Sequence, residues 1–189
     1  MMRLKMRMLV SLAMFSSMAA NAATTTYDVK AVENSIANGV GAGLATITLN
    51  FGDSFTVTAS TNDLWSSGSL PRFSDANGLS GDRFATASDD SGQALGTKIG
   101  QSYPTYTTNG FTAYYGQLVG LIGNTYIALG TNYSGIAAES GQLKLFYWDE
   151  NVSDNSGQIS VSVTTVPEPE SMGLFAAGLA LVGLLRRRK

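Results

Sequence analysis

Neither cysteine nor histidine occurs anywhere in the 189 residues. Without cysteine there is no disulfide framework and no thiol chemistry. Without histidine the chain lacks the commonest general base and the commonest transition-metal ligand, which excludes Ser-His-Asp triads and His-held zinc. Any metal must be held by oxygen, and oxygen ligands favour Ca²⁺ or Mg²⁺. Basic side chains are scarce in the middle of the chain. Of 12 Lys and Arg, seven lie at the ends: Arg3, Lys5, Arg7, Arg186, Arg187, Arg188 and Lys189. Residues 23–165 keep five basic side chains against twelve acidic ones, so a net −7 stretch hides inside a chain of net −2. Acidity of this kind repels phosphate backbones and excludes nucleic acid as a partner. It suits cation binding, but plain solubility is the commoner reason for an acidic domain.

The two ends read as addresses. Three basic residues precede a mostly apolar stretch over residues 8–20, and Ala20-Asn21-Ala22 supplies small residues for a signal peptidase. Charge, apolar run and A-x-A site in that order predict a secretory signal over residues 1–22, cut between Ala22 and Ala23. At the other end Val166, Pro167, Glu168, Pro169 and Glu170 lead into an apolar segment over residues 171–185 and a basic end at 186–189. That segment is short beside the roughly 20 residues of a full span. The basic cluster would stay cytoplasmic, leaving the stiff Pro-Glu-Pro outside and open to an enzyme.

This ending resembles the PEP-CTERM sorting signal, whose parts appear here in order: V-P-E-P, apolar segment, then Arg186, Arg187 and Arg188. A tail of this kind is also called an ice-binding protein C-terminal segment, a label that does not show ice binding. The resemblance implies an exosortase-type membrane protease as partner and transient inner-membrane anchoring. It also implies release to the cell surface or extracellular matrix of a Gram-negative-type bacterium.

Between the ends, period-two alternation predicts an all-β domain over residues 23–165. Strands are expected at 45–49 and 54–59, joined as a hairpin across Asn50-Phe51-Gly52-Asp53. Further strands are expected at 117–122, 126–129, 143–148 and 158–164, where Ile159, Val161 and Val163 share a face. Each would bury one face and expose a Thr/Ser-rich one, which fits an antiparallel β-sandwich. Residues 66–109 are rich in Gly, Ser, Asp and Asn and read as long loops, with short strands near Phe84 and Ile99.

The stretch with most chemical content follows the expected strand 143–148. An acidic turn of about nine residues carries Asp149, Glu150, Asn151, Asp154 and Asn155. A loop of that length can wrap side-chain and carbonyl oxygens around one hard cation. The same residue types also build ordinary solvated turns. Adjacent carboxylates at Asp89-Asp90 and Asp149-Glu150 do not make a glycosidase, which needs two carboxylates set across a cleft. Tyr103, Tyr106, Tyr114 and Tyr115 could stack on sugar rings, and partly buried strand positions would use tyrosine as well.

Four segments resemble the PA-I galactophilic lectins among the galactose-binding-like sandwiches: Trp65-Ser66-Ser67-Gly68, the run from Gly116 to Gly123, Ser140 to Leu145 with Trp148-Asp149, and Asp154-Asn155-Ser156-Gly157. The resemblance implies one Ca²⁺ held by the side chains of Asp149, Asp154 and Asn155. The carbonyl of Ser67 and one carbonyl of Asn151 or Val152 would complete the set. The acidic loop is about two residues shorter than in that family, and the family's sugar-contacting His is missing. Gly81-Asp82-Arg83 stands at its counterpart. The expected function is therefore a non-enzymatic, calcium-dependent, lectin-like surface protein that binds carbohydrate such as extracellular polysaccharide. A structural or adhesive protein in which calcium only stiffens the loop, and a glycan hydrolase, are the alternatives.

Mature protein should begin at Ala23, and surface-released protein should lack Arg186 to Lys189, as read by intact-mass and N-terminal analysis. Replacing Pro167, Glu168 and Pro169 by alanine should leave the precursor in the inner membrane.

Overall fold

The computed structural model describes residues 22–166 together with Gly178. Residues 1–21 of the expected signal over 1–22, Pro167, Glu168, Pro169 and Arg186, Arg187 and Arg188 lie outside the described residues. Contacts gather the described residues 22–166 into a single unit. Ala22 is exposed coil and Ala23 opens the first strand, so the expected cleavage point falls at the edge of the fold.

Fourteen strands are described. The longest is β14 (Ser156–Val166), where Ile159, Val161 and Val163 are fully buried while Ser160, Ser162 and Thr164 turn outward. This alternation is the period-two rule at work: one face meets an apolar layer and the other meets water. β14 pairs antiparallel with β1 (Ala23–Lys30) along one edge. Along the other it pairs with β3 (Ser54–Ala59) and then with β4 (Trp65–Ser66). β12 (Asn132–Ile136) extends β3, and β5 (Phe73–Ser74) extends β4, which gives a six-stranded sheet. Hydroxyls on its outer face bond across strands, Thr24 to Thr164 at 2.7 Å and Thr26 to Ser162 at 3.2 Å.

A four-stranded antiparallel sheet faces it. Its order is β11 (Thr125–Ala128), β10 (Gln117–Ile122), β13 (Gly141–Trp148) and β2 (Leu44–Leu49). One core forms between the sheets. Val29, Phe55, Val57, Ile159, Val161 and Val163 come from the larger sheet, and Leu49, Leu118, Ile122, Leu143, Leu145 and Tyr147 from the smaller. The expected all-β sandwich is what the chain forms.

Two expectations are corrected. Strands β2 and β3 do not form a hairpin with each other, because β2 pairs with β13 and β3 pairs with β12 and β14. Asn50 to Asp53 is a corner between the sheets. The Asp53 carboxylate accepts from the Asn50 N–H at 2.7 Å, and the Gly52 N–H donates to the Ala137 carbonyl at 2.9 Å. Turn chemistry fixes a reversal of direction but not which strand lies alongside.

The second correction concerns β10 and β13, which were expected to expose one face. Both faces are covered. Ribbon β8 (Thr105–Thr108) with β9 (Phe111–Tyr114) folds over the outer face of the smaller sheet. Tyr106, Phe111 and Ala113 pack there on Val119, Leu121, Phe146 and Trp148. That third layer explains why 118–122 reads as an unbroken apolar run apart from Gly120. The short strands expected near Phe84 and Ile99 exist and pair with each other as β6 (Arg83–Phe84) and β7 (Lys98–Gly100).

Ile159→Ala should lower unfolding free energy by about 2–5 kcal/mol, whereas Thr24→Ala on the outer face should stay within about 0.5 kcal/mol. Urea midpoints of the two variants check the assignment of faces.

Candidate functional site

The acidic loop crosses from one sheet to the other. β13 ends at Trp148 in the smaller sheet and β14 starts at Ser156 in the larger. Gly157 takes φ +84°, and a Cβ there would lie 3.1 Å from the Trp65 Cα and 3.2 Å from the Leu64 carbonyl oxygen. The Asn-Ser-Gly sequence thus ends the loop with the one residue that lets β14 come tight against β4. That pairing sets the Ser67 turn beside the acidic loop.

Ser67, Asp149, Asn151 and Asp154 line one cleft of about 110 Å³, together with Arg72, Leu79, Tyr103, Tyr115 and Glu150. Four of the six expected ligand residues therefore share a cleft. Asp149 is 3% exposed, and its carboxylate accepts the Asn151 N–H at 2.7 Å. Burial pushes its pKa up from 3.8 to about 6, against the pull of the Asn151 and Ser67 hydrogen bonds and with help from Asp154 and Glu150. At neutral pH it is a buried anion with no cation bonded to it among the described residues. Asp154 is more open and meets the Arg72 guanidinium at 3.6 Å. Ser67 is anchored from below by a hydroxyl-to-hydroxyl bond with the buried Tyr147 at 2.5 Å. Burial also pushes the Tyr147 hydroxyl well above its ordinary pKa, so it stays protonated.

The other two expected residues sit differently. Asn155 is buried, and its Nδ2 donates to the Ala31 carbonyl at 3.2 Å. Its Oδ1 has no hydrogen-bond partner. A buried amide oxygen left unpaired costs about 1–3 kcal/mol, and native structures rarely leave one without a reason. The Val152 carbonyl accepts the Asn155 N–H at 3.4 Å, while Asn151 lies on the cleft. Among the described residues no three acidic side chains converge as a metal cluster. The available donor set is two carboxylates, one amide oxygen and main-chain carbonyls, all hard oxygens of the kind Ca²⁺ takes.

Arg72, Tyr103 and Tyr115 complete the cleft, and sequence reading had not joined them to the loop. Tyr103 and Tyr115 stand edge to face with centroids 5.3 Å apart. Burial raises the Tyr115 hydroxyl far above its ordinary pKa, and the Glu150 and Asp149 carboxylates add to this. Tyr106 instead packs on Trp148, whose indole N–H donates to the Tyr106 carbonyl at 2.9 Å, and Tyr114 is 38% exposed. Arg83 of the Gly81-Asp82-Arg83 segment pairs with buried Asp75 and reaches the Thr61 carbonyl at 2.9 Å, in a separate depression. Asp89 and Asp90 act as turn acceptors, Asp89 for Thr86 and Ser91 and Asp90 for the Leu64 N–H.

A model of the PEP-CTERM protein-sorting motif matches residues 165–189. That motif marks an exported surface protein processed by exosortase. No curated protein matches the chain. Among solved structures the chain is similar to a domain described as the EclA N-terminal domain, a PllA-like lectin. Identity is 23%, coverage is 75% of this chain and 95% of that one, and the TM-score is 0.47. Among the described residues no helix is long and apolar enough to cross a membrane.

A carboxyl whose folded pKa lies above its unfolded one contributes stability that is complete below the unfolded value and is lost as pH rises through the folded value. For Asp149 that window runs from about 4 to 6. In chelator, Asp149→Asn should therefore melt above wild type at pH 7–8, and the gap should shrink as pH falls to 4. A gap independent of pH would show that the Asp149 carboxylate is not strained by burial.

Proposed function

We propose that this exported surface protein is a non-enzymatic binding module whose sandwich holds one Ca²⁺ at the Asp149–Asn155 loop and takes carbohydrate at the adjoining cleft. The observation that carries the reading is the unpaired Asn155 Oδ1, buried in a loop whose other buried acceptor is the Asp149 carboxylate. One hard cation would give both acceptors the positive partner they lack. Asp154, the Ser67 carbonyl and the Asn151 carbonyl would complete its shell. The sequence resemblance to galactophilic lectins points the same way, on the Asn155-Ser156-Gly157 ending most of all. When bound, Ca²⁺ would supply a fixed positive charge able to orient sugar hydroxyls.

The chain's own residues would do the rest. Tyr147 holds the Ser67 hydroxyl in place. Tyr103 and Tyr115 offer ring edges and hydroxyls along the wall. Export would run through signal peptidase cleavage before Ala23, and the ligand would be a saccharide of the extracellular matrix.

A second reading is favoured by the size of the cleft. A volume of about 110 Å³ is below the roughly 300–1,000 Å³ of drug-sized pockets. In that reading calcium stiffens the loop of a structural or adhesive protein, and no sugar enters. Glycan binding that disappears with chelator separates the two.

Full-length protein should melt several degrees higher in Ca²⁺ than in chelator, since free Ca²⁺ about 100-fold above Kd adds roughly 2.7 kcal/mol. Asp149→Ala should abolish the shift, and Mg²⁺ should substitute poorly because it demands a tighter octahedral shell. Identical melting of wild type in Ca²⁺ and in chelator would reduce the loop to an ordinary turn.

A further inference from the structure

A guanidinium already bridges the two walls of the proposed calcium site. The Arg72 Nη1 donates to the Ser67 carbonyl at 3.3 Å and lies 3.6 Å from the Asp154 Oδ2. One nitrogen thus joins an oxygen of the Ser67 turn to an oxygen of the acidic loop. Those are two of the oxygens a metal in this loop would need. The turn is shaped to deliver it. The Ser67 N–H donates to the Arg72 carbonyl at 3.1 Å, closing a turn whose connecting residues are Gly68 to Pro71 and returning Arg72 over Ser67. Gly68 leaves room for the pair, since a Cβ there would stand 2.9 Å from the Asp154 Oδ2 and 3.3 Å from the Arg72 Nη1.

We infer that Arg72 is the resident cation of the calcium-free loop, and that Ca²⁺ binds by displacing its guanidinium from the Ser67 carbonyl and Asp154. The inference rests on the calcium reading above and adds a competitor to it. The oxygens cannot serve both cations at once, because a metal at 2.3–2.6 Å from each would stand against the same Nη1. Like charges at that separation repel strongly in a partly buried site.

The displaced group has somewhere to go. Its Nη2 already donates to the Tyr103 hydroxyl at 3.3 Å, and the Cζ lies 5.0 Å from the centroid of the Tyr103 ring. The Arg72 side chain is 38% exposed, so it can swing towards Tyr103 and solvent without unpacking the core. A planar guanidinium keeps its favourable contact with an aromatic ring after losing the carboxylate. Arg72 thereby sets calcium affinity. It balances the open part of the acidic loop until the metal arrives, and it weakens the metal's grip by having to be removed.

Calorimetric titration of the full-length chain with Ca²⁺ alone tests this on wild type, Arg72→Gln and Arg72→Lys. Arg72→Gln should bind about tenfold more tightly, the factor expected when one charge-assisted hydrogen bond no longer has to be broken. Arg72→Lys keeps the charge without the planar fork and should tighten binding by less. Arg72→Gln equal to or weaker than wild type would overturn the competition and leave the calcium reading standing. No heat and no melting shift in any of the three would remove the calcium reading and this inference together. If Arg72→Gln fails to fold, the side-chain Nε–H resonance of Arg72 in wild type decides. It should move in step with Ca²⁺ binding, and a stationary signal during saturable binding would overturn displacement.

Discussion

The crossing from β13 to β14 is the constraint on which the rest depends. These strands occupy interior positions in opposite sheets, and both carry core residues along their inner faces. The chain must leave one sheet at Trp148 and enter the other at Ser156 with only Asp149–Asn155 between them. A connection that short cannot wander. Its main chain is held by the Asp149 and Asn151 side chains capping the N–H groups two residues on, at 2.7 and 3.1 Å. Gly157 then lets β14 close on β4, and β4 carries the Ser67 turn to the same place. The cleft is a by-product of how the two sheets are stitched together, which is why its walls come from residues far apart in the chain.

Charge in this corner is arranged against solvation. Asp149 is buried and held well above the usual carboxylate range, yet the described ion pair in the loop belongs to Asp154. Asn155 spends its donor on Ala31 and leaves its acceptor unpaired. Folding could have placed apolar groups here at less cost, because an unsatisfied buried acceptor and an uncompensated buried anion both oppose stability. The sandwich tolerates them because its core on either side is continuous, with Trp65 and Tyr147 packed edge to face 4.6 Å apart directly beneath. Strain of this kind, kept in one loop of an otherwise well-satisfied domain, is what motivates reading the loop as a binding element.

The aromatic ribbon plays a separate part. Tyr106 and Phe111 cover the outer face of the smaller sheet and close Trp148 in from above. Trp148 immediately precedes Asp149, so this third layer also fixes the point from which the acidic loop departs. Tyr103 and Tyr115 flank the ribbon, and Tyr115 stays within 5.8 Å of Tyr106 while facing the cleft. Cleft wall and structural cover are therefore continuous.

By itself the sequence determined what depends on local pattern. Alternation in 54–59 and 158–164 marked those strands because a half-buried strand must alternate. The sorting motif at 165–189 was legible in the sequence, since a targeting signal is read as a linear string. Oxygen-rich side chains at 149–155 marked a candidate cation loop, because ligand chemistry is a property of residue type. Only the tertiary structure decided partners. It placed β2 and β3 in different sheets although a good turn joins them, because a turn dictates reversal while core burial selects the neighbour. It folded the polar stretch 66–109 over the sandwich, where Arg72 met Asp154 across 82 positions of chain. It also left Asn155 half-satisfied, which no single-residue property announces. Contacts of that kind arise from the summed packing of two sheets, and local sequence carries no record of which distant oxygen will lie 3.6 Å from a given nitrogen.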